Sequence, residues 1–112
     1  MLCSIYFSAI LLCFQPTPII CHTGIASWYN YRINGIEWSR KHDTAASRTF
    51  KRYSTVIIRN LDTGKEIEAY INDYGPEEWT GREIDLSSHA FKELASLGKG
   101  LINVSVRYKQ YD

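Results

Sequence analysis

Residues 65–76 read KEIEAYINDYGP, and the rest of the chain is most easily understood outward from them. Over residues 65–72, Ile67, Ala69 and Ile71 fall on one side and Glu66, Glu68 and Tyr70 on the other, the period of a strand with one wet face. The strand stops near Gly75-Pro76, because proline has no amide to give a ladder. Asp73 is thereby delivered to a strand end, where loops meet and function concentrates. Upstream, residues 54–60 (STVIIRN) are rich in β-branched side chains, and the intervening LDTG of residues 61–64 supplies turn chemistry, so the two segments form a hairpin.

Residues 24–29 (GIASWY) read as a first strand and residues 102–108 (INVSVRY) as a closing one. In the latter Ile102, Val104, Val106 and Tyr108 face inward, while Asn103, Ser105, Arg107 and the following Lys109 face out. Between Asp73 and that strand, Ser87-Ser88 offer N-caps. Ala90, Phe91, Leu94, Ala95 and Leu97 then recur at helical spacing as far as Gly98, which is suited to the left-handed position after a helix. Short strands with one helix imply a small closed β-barrel, since closure removes the unpaired edges that so few strands would otherwise present.

At 112 residues there is room for one modest core, and 45% hydrophobic with 22% charged residues is ordinary globular composition. A formal net charge of +1 argues against nucleic acid as a partner, because phosphate binding demands a basic excess. Lys51, Arg52 and Arg59 read as a solvated strand face. His42 and His89 read as surface residues, and no Cys/His/Asp spacing resembles a metal site, so neither metal nor cofactor is expected.

Residues 2–14 (LCSIYFSAILLCF) carry no charge but are too few to span a bilayer, which takes roughly 20 apolar residues. They fit the apolar centre of an export leader over residues 1–22, ahead of a single domain over residues 23–109. A lipid-modified Cys21 is the variant of that reading; an inert or removed Cys21 is the other. Cys3, Cys13 and Cys21 all precede the domain, so no disulfide is expected within it, nor a stable membrane span in the mature form. The expected location is the cell envelope, periplasmic or extracellular.

Asp73 and Asp85 are the candidate chemical groups. From spacing alone Asp73 is equally at home as a turn-forming Asx residue, and Asp85 as a carboxylate at a helix start. Asp85 is bracketed by Ile84 and Leu86, so it needs a partner or an altered protonation. Trp28, Tyr29, Trp38, Tyr74 and Trp79 offer faces that stack on sugar rings; packing is the other reading for Trp28.

Ala26-Ser27-Trp28-Tyr29, Thr44-Ala45-Ala46-Ser47, Asn72-Asp73-Tyr74-Gly75-Pro76, Arg82-Glu83-Ile84-Asp85-Leu86-Ser87 and Leu97-Gly98-Lys99-Gly100 stand in the order found in rare lipoprotein A-like (RlpA-like) domains. The chain is similar to that family from about residue 23 to residue 108, and more distantly to expansins. The resemblance implies an all-β, six-stranded double-psi β-barrel with one short α-helix. It also implies a peptidoglycan-active protein, a candidate lytic transglycosylase, with Asp73 as catalytic acid and base and Asp85 as the second catalytic residue, tuning it from alongside. Ser27, Trp28, Tyr29, Thr44, Ser47, Tyr74 and Trp79 become candidate substrate-binding residues on a monomer.

A glycosidase ordinarily needs two carboxylates. A lytic transglycosylase manages with one, as acid toward the leaving oxygen and then as base toward the sugar's own 6-hydroxyl, provided that the carboxyl starts protonated. One departure bears on this. The Thr-Ala-Ala element of enzymatic relatives is commonly followed by histidine, and here Ser47 stands there; Glu37 and Asp43 are out of register with the acid often found upstream. Serine does not shuttle protons near neutral pH as imidazole does. The alternatives are a non-catalytic, expansin-like glycan-binding module and an envelope partner-binding domain that uses the barrel as a scaffold.

Overall fold

The computed structural model describes residues 20–29 and 42–110. Most of the expected leader segment, with Cys3 and Cys13, lies outside the described residues, as do Glu37 and Trp38. Six strands, β1 (Cys21–Tyr29), β2 (Thr44–Ser47), β3 (Thr55–Asn60), β4 (Glu66–Asp73), β5 (Ile84–Ser87) and β6 (Ile102–Tyr108), close into a barrel in the spatial order β1-β5-β2-β4-β3-β6. The β1/β5 and β2/β4 contacts are parallel and the other four antiparallel. This closed mixed barrel, with α1 (Ser88–Leu94) as the one α-helix among the described residues, is the double-psi β-barrel that the resemblance implied.

The hairpin of β3 and β4 forms at residues 61–64: Gly64 takes φ 84° and returns its amide to the Asn60 carbonyl at 2.7 Å. Ile71 of β4, Val56 and Ile58 of β3, Ile84 and Leu86 of β5, and Val104 and Val106 of β6 all point inward and are fully buried. Ser105 was expected outside and is 1% exposed. Its small side chain lies in register between Thr23 of β1 and Arg59 of β3, both larger.

The helix α1 starts at the foreseen cap, where Ser87 Oγ accepts the Ala90 amide at 3.2 Å. It buries Ala90, Phe91 and Leu94. It ends earlier than the apolar spacing suggests. Ala95 is extended, and Asn60 Nδ2 donates to the Leu94 carbonyl at 3.0 Å, satisfying from the side a helix-end oxygen that has no partner within the helix. Leu97 reaches the core from a separate 3-10 turn (Leu97–Lys99), after which Gly100, not Gly98, is left-handed at φ 72°.

Strand β1 begins at Cys21, which is disulfide-bonded and so not a free thiol here. Cys21 and His22 pair with Arg107 and Val106, and the His22 ring meets Phe50 edge-on at 5.5 Å. Cleavage after residue 22 would therefore give up two paired positions.

Candidate active site

Two registers meet at Ala46, and a third continues from its partner Asp85. Asp85 of β5 is its partner on one side, Asp73 of β4 its partner on the other, and Ser27 of β1 is the partner of Asp85 in turn. Ser27, Asp85, Ala46 and Asp73 thus form one lateral row across four strands. With strands about 4.8 Å apart, the Cα atoms of the two aspartates stand roughly 10 Å apart with only a methyl side chain between them.

The row faces out of the barrel. Ile84 and Leu86 point inward, so Asp85 between them points outward, and Ala46 follows because Ala45 is inward. Asp73 belongs by alternation with the inward Ile67, Ala69 and Ile71. The β2/β4 register shifts at this point, however: Ala45 opposes Ile71 but Ala46 opposes Asp73. The extra residue, Asn72, is a β-bulge, and such bulges re-aim the next side chain. Asp73 is in this way turned to the outer face, with its side chain 46% exposed.

The two carboxylates meet different surroundings. Asp73 Oδ1 accepts the Tyr74 amide at 2.8 Å and Arg52 Nη2 at 3.3 Å. Arg52 is held there by the turn ahead of β3, in which Tyr53 adopts φ 74°, a left-handed conformation that costs a non-glycine residue about 1–3 kcal/mol. That turn is tied down by the Tyr53 amide, which donates to the Ile71 carbonyl at 2.7 Å. Asp85 is only 19% exposed at its side chain and accepts a hydrogen bond from Ser27 Oγ; Arg82 Nη1 lies 3.7 Å from it and 3.0 Å from Ser27 Oγ. The acid between two buried neighbours has its partners, and they are not the helix-start amides.

A cleft of about 400 Å³ opens over the row, a size suited to a small ligand or a sugar unit. Asp73, Ala46 and Asp85 lie along it, with Tyr29, Tyr74 and Trp79 among its walls. Tyr74 and Trp79 are 70% and 83% exposed, with aromatic faces that nothing in the described structure covers. Arg48 fixes the cleft's shape, donating to the carbonyls of Pro76 and Arg82 and so clasping the two loops that frame it.

Of the residues singled out in the sequence, Asp73, Asp85, Tyr29, Tyr74 and Trp79 are brought together, and Ser27 touches the site through Asp85. Trp28, Thr44 and Ser47 are placed elsewhere. Trp28 packs on the core and donates its indole N–H to the Leu97 carbonyl at 3.1 Å. Thr44 is buried, its amide on Ser87 Oγ. Ser47 is buried on the inner side in register with Ile84, and its hydroxyl accepts the amides of Thr49 and Phe50 at 3.0 and 2.8 Å, which makes the turn after β2. The cleft also holds Glu77 and Thr80, and it depends on Arg48, Arg52 and Arg82, none of which the sequence reading singled out for the site. Arg82 stands inside the quoted Arg-Glu-Ile-Asp-Leu-Ser element three residues before Asp85, a visible signal; Arg48 and Arg52 become relevant only once the barrel closes.

A family model described as lytic transglycolase matches residues 22–106. The chain is 36% identical over 95 residues to a protein of Pasteurella multocida (strain Pm70) named endolytic peptidoglycan transglycosylase RlpA, a match covering 80% of this chain and 32% of that one. It is 35% identical over 99 residues to one of Treponema pallidum (strain Nichols) named probable endolytic peptidoglycan transglycosylase RlpA, covering 83% and 31%. It therefore spans about a third of the length of these relatives. Among solved structures, a Streptomyces papain inhibitor superposes with a TM-score of 0.63 at 22% identity over 83% of this chain and 98% of that one, a likeness of fold.

Proposed function

Since this chain belongs to the lytic transglycolase family, we propose that its cleft binds peptidoglycan glycan strands and cleaves them non-hydrolytically in the cell envelope, with Asp73 as the acid and base. The observation that carries the proposal is the bulge at Asn72, which sets Asp73 on the outer face in one row with Ala46, Asp85 and Ser27 beneath an aromatic cleft. Asp73 gives a proton to the glycosidic oxygen as its bond to C1 breaks. The resulting carboxylate then takes the proton of the same sugar's 6-hydroxyl as that oxygen closes on C1, leaving an anhydro end and the carboxyl restored. Ala46, with no bulk, leaves the floor open for the sugar ring. Asp85 acts as a positioning residue: it holds Arg82 and Ser27, and Arg82 offsets its charge. Tyr74 and Trp79 receive the flanking sugars by stacking.

A second reading, glycan binding without turnover, is favoured by one observation. Ser47 stands where the resemblance to RlpA-like domains implies a histidine in active members, and its hydroxyl faces away from the row and is committed to the turn. The export leader over residues 1–22 belongs to the same proposal; among the described residues no helix is long and apolar enough to cross a membrane. Incubating the protein with purified sacculi separates the readings. Release of anhydro-ended muropeptides, abolished by Asp73→Asn, supports cleavage. Sacculus binding with no soluble product leaves the binding module, and neither binding nor release refutes both.

A further inference from the structure

On the other end of β2 from the carboxylate row, three side chains converge that the cleft does not use. Asp43 lies just before β2, and His89 and Glu93 sit one turn apart on α1. We propose that Asp43, His89 and Glu93 form a binding site for a divalent transition-metal ion, of the class of Zn²⁺, which fastens α1 to the start of β2.

The geometry is close to what such an ion needs. One ligand atom from each residue lies within 4.8 Å of the others. His89 Nδ1 is 3.6 Å from Glu93 Oε2 and in direct contact with Asp43 Oδ1. Tetrahedral coordination at bond lengths of about 2.0–2.1 Å separates ligand atoms by roughly 3.3 Å, so the Glu93 edge already fits and the Asp43 contact need only part slightly. An imidazole with two carboxylates suits zinc and its neighbours rather than calcium or magnesium, which prefer oxygen alone.

The frame is preorganised. The Asp43 carbonyl accepts the Tyr70 amide at 3.0 Å, and α1 is anchored by its Ser87 cap. The side chains are 25%, 35% and 43% exposed for Asp43, His89 and Glu93, leaving an entry path and room for a water as fourth ligand. Two carboxyl groups are held together there with a single imidazole close by. No sequence motif announces the site, because Asp43 and His89 are 46 residues apart.

The test uses the full chain, stripped with a chelator and titrated with Co²⁺ by visible absorption and with Zn²⁺ by calorimetry. Saturable one-to-one binding with the absorption of low-coordinate cobalt is expected, together with a higher Tm in the presence of Zn²⁺. His89→Ala and Glu93→Gln, both at half-buried helix positions, should each weaken binding at least about tenfold, while the metal-free protein still unfolds cooperatively with a Tm close to that of the parent. No saturable binding overturns the proposal. So does an affinity that falls in His89→Ala but not in Glu93→Gln, which would assign the ion to histidine alone.

Discussion

The same four strands present two faces with opposite logic. On the inner face of β5, β2 and β4, Ile84, Leu86, Ala45 and Ile71 are sealed from water and make contacts that any well-filled core makes. On the outer face, one residue away in β5 and β2 and two residues away in β4, stand Asp85, Ala46 and Asp73, with Ser27 beside them on β1. Hydrophobic burial explains the first set completely. It does not explain the second, where a bulge interrupts a regular ladder and a non-glycine residue, Tyr53, is held left-handed to keep Arg52 near Asp73. Local departures from ideal geometry that bring no packing gain point to selection for chemistry.

Substitutions on the two faces should therefore separate activity from stability. The largest effect is expected from Asp73→Asn: a fall of about 10²–10⁴ in the rate of anhydro product release, measured on purified sacculi. Its Tm should hold, since Asn keeps the oxygen that accepts the Tyr74 amide and the exposed Arg52 pair contributes at most about 1 kcal/mol. On the inner face, Ile71→Ala should do the reverse, costing roughly 2–5 kcal/mol in chemical unfolding while the residual folded fraction keeps its turnover. If Ile71→Ala depressed the turnover of folded protein as far as Asp73→Asn does, the division between faces would be false.

What the sequence made legible follows the same division. Period-two alternation located β3, β4 and β6 within a residue or so, because inward residues must be apolar whatever the barrel does. The helix cap at Ser87 was visible for the equally local reason that a hydroxyl there meets an amide three residues on. The end of α1 was not, since it depends on Asn60, distant in sequence, reaching the Leu94 carbonyl. The cleft was legible where a motif carried it, at Tyr29, Asp73, Tyr74 and Asp85, and at Trp79 from its aromatic face beside turn residues. It was obscure where long-range register decides: the bulge that reverses Asp73 is a property of the β2/β4 pair, and Ser47 lies in a motif yet points to the other face.

Asp85 tests the border between the faces, because it is an outer-face residue with structural partners. Asp85→Ala leaves the buried Ser27 hydroxyl and Arg82 without their acceptor and should cost about 1–3 kcal/mol of stability, seen in urea unfolding. Turnover should fall as well, but less than in Asp73→Asn, since Asp85 acts through Arg82 and Ser27. An Asp85→Ala protein with wild-type stability would show that the network contributes nothing to the fold.

The smallest effect is expected at Trp79, and it sharpens the comparison most finely. Its side chain sits on the Glu78–Thr80 turn at the cleft edge, 83% exposed, in a turn with no buried residue of its own. Removing it should leave stability within about 0.5 kcal/mol, as for other surface changes free of special contacts. Taking an indole–sugar stack to match the order of an aromatic pair, about 0.5–1.5 kcal/mol, Trp79→Ala should weaken sacculus binding by roughly 2- to 12-fold. Because the ring belongs to the cleft wall and not to the carboxylate row, the loss should appear in KM and not in kcat, and Trp79→Phe should recover part of it. A fall in kcat with KM unchanged would place Trp79 against the reacting sugar itself, and the cleft's outer wall would then belong with Asp73 as part of the chemistry.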